Sequence, residues 1–122
     1  MAGNGSLWRD RLIPLLKCTY FNPVVPDWND EAYQEELRQR EYCDYCLYVI
    51  TPKMTGVYSI AEVIDDSNKR PNKTLFCVLH SDDTDEFSAA QLKSLNAVAK
   101  MVESNGGKVF NELTSLAKFL NS

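Results

Sequence analysis

Two rhythms of apolar residues alternate along this chain, one with a period near 3.6 and one that is nearly continuous. Trp8, Leu12, Leu15 and Leu16 recur at i, i+4, i+7 and i+8, which predicts a first helix with Ser6 as its N-cap and Pro14 as a weak point. Thr19 to Asn22 is a short strand candidate, and Pro23 and Pro26 stop any helix after it. Asn29 and Asp30 cap a charged helix over 31–42 with a thin apolar stripe of Ala32, Tyr33 and Leu37. Residues 44–51, DYCLYVIT, are almost uninterrupted in their apolar character, which suits a strand covered on both faces. Val57, Ile60, Ala61 and Ile64 then form the expected apolar, core-facing side of a helix, and 67–73 reads as a polar loop around Pro71.

The second half repeats the alternation. Thr74 to Leu79 (TLFCVL) is a second buried strand, and Ser81 to Asp85 is an acidic loop. Phe87, Gln91, Leu95, Val98 and Val102 line a long helix that Asn105-Gly106-Gly107 ends. Lys108 to Phe110 is a short strand, and Asn111 caps a last helix with Leu113, Leu116, Ala117 and Leu120 on its apolar side. Strands alternating with helices predict an α/β chain with a mostly parallel sheet between two layers of helices. Such a sheet normally opens with a strand before its first helix. Only Met1-Ala2-Gly3 precede the glycine-rich turn here, so that strand is expected to be short or absent.

Composition narrows the class. The 122 residues suit one domain, 1–122, and 44% apolar content is enough for a packed core. A net charge of −4 with no dense Lys/Arg run argues against duplex nucleic acid as a partner. No apolar run is long enough to span a membrane, and MAGNGSLWRDR lacks the plan of a signal peptide, so a cytoplasmic location is expected. Cys18, Cys43, Cys46 and Cys77 then read as reduced thiols, most of them packed as small hydrophobes. The lone CxxC at Cys43–Cys46 has no histidine at finger spacing, since His80 stands alone, and no metal is expected.

Ligands of open parallel sheets bind at the carboxyl ends of the strands. Three segments are expected there. Gly3-Asn4-Gly5-Ser6 offers tight turns and free amides, or is an ordinary flexible N-terminus. In Asn22 to Trp28, Trp28 can stack on a base or sugar while Asp27 binds hydroxyls, or Trp28 plugs the core. Thr51 to Ser59 comes after the apolar strand. Glu62 lies off the expected apolar stripe, and its side chain leans back over Tyr58 and Ser59 toward the strand end. From spacing alone it is either a solvated surface glutamate or a carboxylate placed for chemistry.

The segments LWRD, FNPVVPDW, EYCDYCLYVITPKMTGVYSIAEVID, KTLFCVL and GGKVFNELTSLAKFLNS together resemble the nucleoside 2-deoxyribosyltransferase-like family over nearly the whole chain. NPVVPDW and YSIAE are the most specific of these. The resemblance implies a small Rossmann-like three-layer sandwich of four to five strands, homo-oligomeric, acting on a nucleoside or nucleotide without a cofactor. It implies that Glu62 attacks the sugar C1′ to form a covalent glycosyl-enzyme. Asp44 matches an aspartate used near the leaving base, with Asp27 as a rival for acid/base duty. Gly3, Asn4, Trp8 and Asn22, with Trp28, Gly56, Tyr58 and Ser59, are the expected substrate contacts. Gly56 stands where many transferases carry an acidic residue and related hydrolases a serine. The runner-up is therefore a nucleotide-binding protein that senses or sequesters its ligand on the same fold.

Overall fold

A computed structural model of the chain describes residues 7–18, 20, 29–54 and 57–122, with backbone only at 40–42. Helix α1 (Trp8–Leu12) runs into a 3₁₀ turn, Ile13–Leu15, where Pro14 falls at a position that needs no amide donor. Helix α2 (Asp30–Tyr42) is capped by Asn29, whose Oδ1 accepts from the Ala32 amide at 2.8 Å. Strand β1 (Cys46–Ile50) leads to helix α3 (Tyr58–Lys69), and a 3₁₀ turn, Pro71–Lys73, opens strand β2 (Thr74–Val78). Strands β3 (Ser81–Asp82) and β4 (Asp85–Glu86) make a small antiparallel hairpin where the sequence suggested a loop. Helix α4 (Ala89–Asn105), strand β5 (Lys108–Phe110) and helix α5 (Leu113–Asn121) complete the chain.

Strands β1, β2 and β5 form a parallel sheet in the order β1-β2-β5. The alternation of side chains along β2 sorts the core into two clusters. Leu75, Cys77 and Leu79 meet Val49, Trp8 and Leu12 of α1, and Leu116 and Ala117 of α5. Phe76 and Val78 meet Ile50, Val63 of α3, and Leu95 and Val102 of α4. Helices α3 and α4 share a face because both are crossovers between parallel strands advancing in one direction, and such crossovers have one hand. The chain is thus a mixed α/β fold with helices on both faces of a parallel sheet. Three parallel strands are present among the described residues, fewer than the four to five expected. The strand candidate at 19–22 and the residues before α1 lie largely outside the described residues.

Local chemistry fixes the ends of the longest helix. Ser88 and Gln91 form a reciprocal capping box: the Gln91 amide donates to Ser88 Oγ at 3.1 Å, and the Ser88 amide donates to Gln91 Oε1 at 2.8 Å. At the other end Gly106 adopts φ +106°, and its amide donates to the Glu103 and Val102 carbonyls. A side chain at Gly107 would meet Val102 Cγ1 at 2.6 Å. The two glycines therefore let α4 turn sharply into β5.

Candidate functional site

The segments after β1 and β2 build the carboxyl edge of the sheet. Thr51, fully buried, directly follows β1, and its Oγ1 accepts from the Lys53 amide at 3.2 Å. The Leu79 amide donates to the Ile50 carbonyl at 2.9 Å, which carries the pairing of β1 and β2 to that edge. Residues 55–56, including Gly56, lie outside the described residues. Helix α3 starts immediately after them and runs back along the sheet.

The face that α3 turns to the sheet is the principal departure from the sequence reading. Of the expected core face, Ile60 and Ile64 pack half-buried against the cluster of Val63, Phe76 and Leu95, whereas Val57 is 77% exposed and Ala61 is exposed. The buried residues are Ser59, Glu62, Val63, Asp66 and Ser67, which recur at i, i+3, i+4, i+7 and i+8. Four of the five are polar. Glu62 is 7% exposed, so it is not the solvated surface glutamate that spacing left open. Ser59 lies one turn before it on the same stripe and is buried too. Both are engaged with other groups of the protein. Burying a carboxylate costs several kcal/mol unless its surroundings compensate, so a buried polar stripe is not what packing alone selects.

Deeper along the stripe the compensation is explicit. Asp66 is fully buried, and it accepts hydrogen bonds from the Tyr48 hydroxyl and from Arg70 Nη1, the latter at 2.6 Å. Tyr48 reaches it from β1, so strand and helix are bridged by a charge-assisted bond. Asn105 Nδ2 of α4 donates to Ser67 Oγ at 3.0 Å, and that hydroxyl donates to the Ile64 carbonyl at 2.8 Å. This polar network fixes the C-terminal half of α3 and leaves its N-terminal half, with Ser59 and Glu62, at the carboxyl edge. The sequence signal for it was the i, i+4 spacing of Glu62, Asp66 and Arg70, which the apolar-stripe reading passed over.

A second set of charges frames the same edge. Arg11 Nη2 of α1 donates to Asp82 Oδ1 at 3.1 Å, and Asp82 is almost completely buried at the base of the hairpin. Asp83, in the left-handed region at φ 56°, lies 3.1 Å from Lys53 Nζ, and Asp85 lies 3.6 Å from it. The hydrogen bond with Asp83, and then the charges of Asp83, Asp85 and Asp82, raise the Lys53 pKa above its usual value against an opposing desolvation. The loop after β1 is thereby tied to the hairpin after β2. Neither contact was anticipated from the sequence.

The remaining candidates scatter. Tyr58 is exposed at the start of α3, beside the edge. Trp8 is 6% exposed within the core cluster of β2 and α5; its indole Nε1 has no hydrogen-bond partner among the described residues, and the Arg9 guanidinium lies 4.3 Å from its ring centre. Asp44 is exposed and precedes β1, so it sits at the amino edge of the sheet. Five strand residues at about 3.3 Å each put roughly 16 Å between the two ends of β1. Asp44 and the first turns of α3 are accordingly held at opposite edges. Gly3, Asn4, Asn22, Asp27 and Trp28 lie outside the described residues, as does Gly56. The four cysteines are free; Cys77 alone is buried, Cys18 is exposed, and Cys43 Sγ donates to Gln39 Oε1 at 3.0 Å. Burial pushes the Cys77 thiol up to about 12. No described helix is long and apolar enough to cross a membrane. Compared with known proteins, the chain matches no family model, no curated protein and no solved structure.

Proposed function

We propose that this protein cleaves or transfers the N-glycosidic bond of a (deoxy)nucleoside or nucleotide, with Glu62 as the nucleophile. The single observation that carries the reading is the burial of Glu62 on the sheet-facing stripe of α3, in the turns that start at the carboxyl edge. A carboxylate kept out of bulk water at that edge is oriented and poorly solvated, as a nucleophile needs to be. In the proposed step a Glu62 oxygen bonds to the sugar C1′ while the C1′–N bond breaks. The electron pair leaves with the base, which takes a proton from an acid or from water. Water, or the nitrogen of a second base, then displaces Glu62 from C1′ and restores the carboxylate. Two inversions give net retention at C1′. Ser59 and Tyr58 are assigned to the sugar or its 5′-phosphate, and Asp27 to the leaving base. The same reading gives the sheet one or two further strands and makes the protein a homo-oligomer.

Asp44 at the amino edge favours a second reading, because it removes one of the two acids that the sequence offered for the leaving base. In that reading the edge binds a nucleotide and does not turn it over. Incubation with a panel of nucleosides and nucleotides, followed by chromatography of free bases, separates the two. The enzyme reading expects base release that Glu62→Gln abolishes with little change in affinity. Tight binding without base release supports the second reading and overturns the first.

A further inference from the structure

A 5′-phosphate brings between one and two negative charges at neutral pH, and a site that takes it supplies cations in return. The carboxyl edge has few to give. From the end of β1 to the start of α3, and from the end of β2 to the start of α4, the chain carries one lysine, Lys53, no arginine and the exposed His80. The same two segments carry the carboxylates of Asp82, Asp83, Asp85 and Glu86, and Glu112 follows β5. Arg11 reaches the edge from α1, where Asp82 holds it at 3.1 Å. Arg9 lies over the ring of Trp8, which packs on the face of the sheet opposite α3. The stretches outside the described residues, 1–6, 19, 21–28 and 55–56, contain no lysine, arginine or histidine.

Lys53 is committed as well. Its Nζ lies 3.1 Å from Asp83 Oδ2 and 3.6 Å from Asp85 Oδ2, so one ammonium faces two carboxylates. Its side chain is 23% exposed, against 58% for Asp83 and 55% for Asp85. An anion arriving from water therefore meets the carboxylates before the ammonium. The hairpin holds them there: Asp82, almost completely buried, anchors its first strand to Arg11, and Asp83 turns the chain at φ 56°. We propose that Asp83 and Asp85 are specificity residues that close this edge to phosphate, so that it takes nucleosides and not nucleotides. The inference rests on the reading of the edge as a nucleoside site, and it narrows the assignment of Ser59 and Tyr58 to the sugar alone. The discrimination comes from repulsion of the wrong ligand and not from a contact with the right one. The opposing influence is the amino end of α3, which carries about half a positive charge. Lys53 with its two acids leaves a full negative charge beside it, and the carboxylate of Glu62 adds another, so repulsion prevails.

Isothermal titration calorimetry tests it, comparing each common deoxynucleoside with its own 5′-monophosphate at about pH 8, where an ordinary imidazole is neutral. In at least one pair the nucleoside should bind at least about tenfold more tightly than the monophosphate, and the gap should narrow as added salt screens the carboxylates. Asp83→Asn with Asp85→Asn should shift that ratio at least about tenfold toward the monophosphate, and adding Lys53→Met should cancel most of the shift. Both aspartates are more than half exposed and asparagine tolerates left-handed backbone, so this variant keeps its fold. Glu103→Gln, exposed in the last turn of α4 at the amino edge, should leave the ratio unchanged. A monophosphate that binds as tightly as its nucleoside, or more tightly, overturns the inference and leaves the reading of the edge standing. A ratio that Asp83→Asn with Asp85→Asn does not move overturns the role of the two aspartates. If no nucleoside and no monophosphate binds, the edge is not a nucleoside site and the inference falls with that reading.

Discussion

The buried polar stripe of α3 has a consequence for stability that its sequence does not suggest. If Val57, Ile60, Ala61 and Ile64 were the fully buried side of α3, Ile64→Ala would leave a closed cavity, and Asp66→Ala would alter a surface carboxylate. The structure requires the reverse order. Asp66 is fully buried and accepts from Tyr48 and Arg70, so its removal strands a hydroxyl and a guanidinium. Breaking a buried ion pair costs about 3–5 kcal/mol. Arg70 keeps 20% of its side chain in water and can recover part of its hydration, which sets the expectation at the low end, about 3 kcal/mol. Ile64 packs against the core on one side, but on the other it borders an open groove that water fills when its side chain is cut back, so Ile64→Ala should cost only about 1 kcal/mol. Urea unfolding followed by circular dichroism measures both. The slope with denaturant should be unchanged. A cycle of Tyr48→Phe and Asp66→Asn should return a coupling of about 1 kcal/mol or more, since the two groups share a bond. A loss below about 1 kcal/mol for Asp66→Ala together with more than about 2 for Ile64→Ala would refute the orientation of α3 and the burial of Glu62 with it.

Other expectations come from local features. Gly106→Ala places a side chain at φ +106°, with its Cβ 3.0 Å from Pro71 Cβ, and should destabilise the fold by about 1–2 kcal/mol in the same urea assay. Cys77 should resist iodoacetamide at pH 8, because its thiol stays protonated up to about 12, whereas exposed Cys18 should be alkylated; peptide mass spectrometry reads both sites. The raised pKa of Lys53 gives its links to Asp83 and Asp85 a defined alkaline limit. Their stabilisation is fully present below the ordinary lysine value of 10.5 and is lost as the pH rises through the higher folded value. Lys53→Met should therefore flatten the alkaline limb of a stability–pH curve.

What the sequence made legible was whatever depends on local periodicity. Strands β1, β2 and β5 lie within a residue or two of where their apolar runs placed them, and the parallel sheet followed from their alternation with helices. Gly106 and the Asn29 cap were readable because each answers a local need, a left-handed turn in one case and an unpaired amide in the other. Helix α3 was read only in part: Ile60 and Ile64 do reach the core, but hydrophobic periodicity does not say which neighbouring residues are buried more deeply. Here tertiary partners outside the helix, Tyr48 from β1 and Asn105 from α4, draw Asp66 and Ser67 inward. The same packing buries Glu62, which spacing alone had left open. The tie between Arg11 and Asp82 spans 71 positions of sequence, and no local pattern points to it. The loop 67–73 was misread on a smaller scale: α3 continues to Lys69 because the Asp66 carbonyl accepts the Arg70 amide before Pro71 ends it.

The central claim is that the buried carboxylate of Glu62 attacks an anomeric carbon. It is tested most directly by intact-protein mass spectrometry after rapid acid quenching of the protein with a mixture of nucleosides and nucleotides. The expected result is a mass increase of one glycosyl unit, located to Glu62 by peptide mapping, with an equivalent release of free base and no adduct in Glu62→Gln. Base release with no adduct at any quench time, and activity retained in Glu62→Gln, would contradict it.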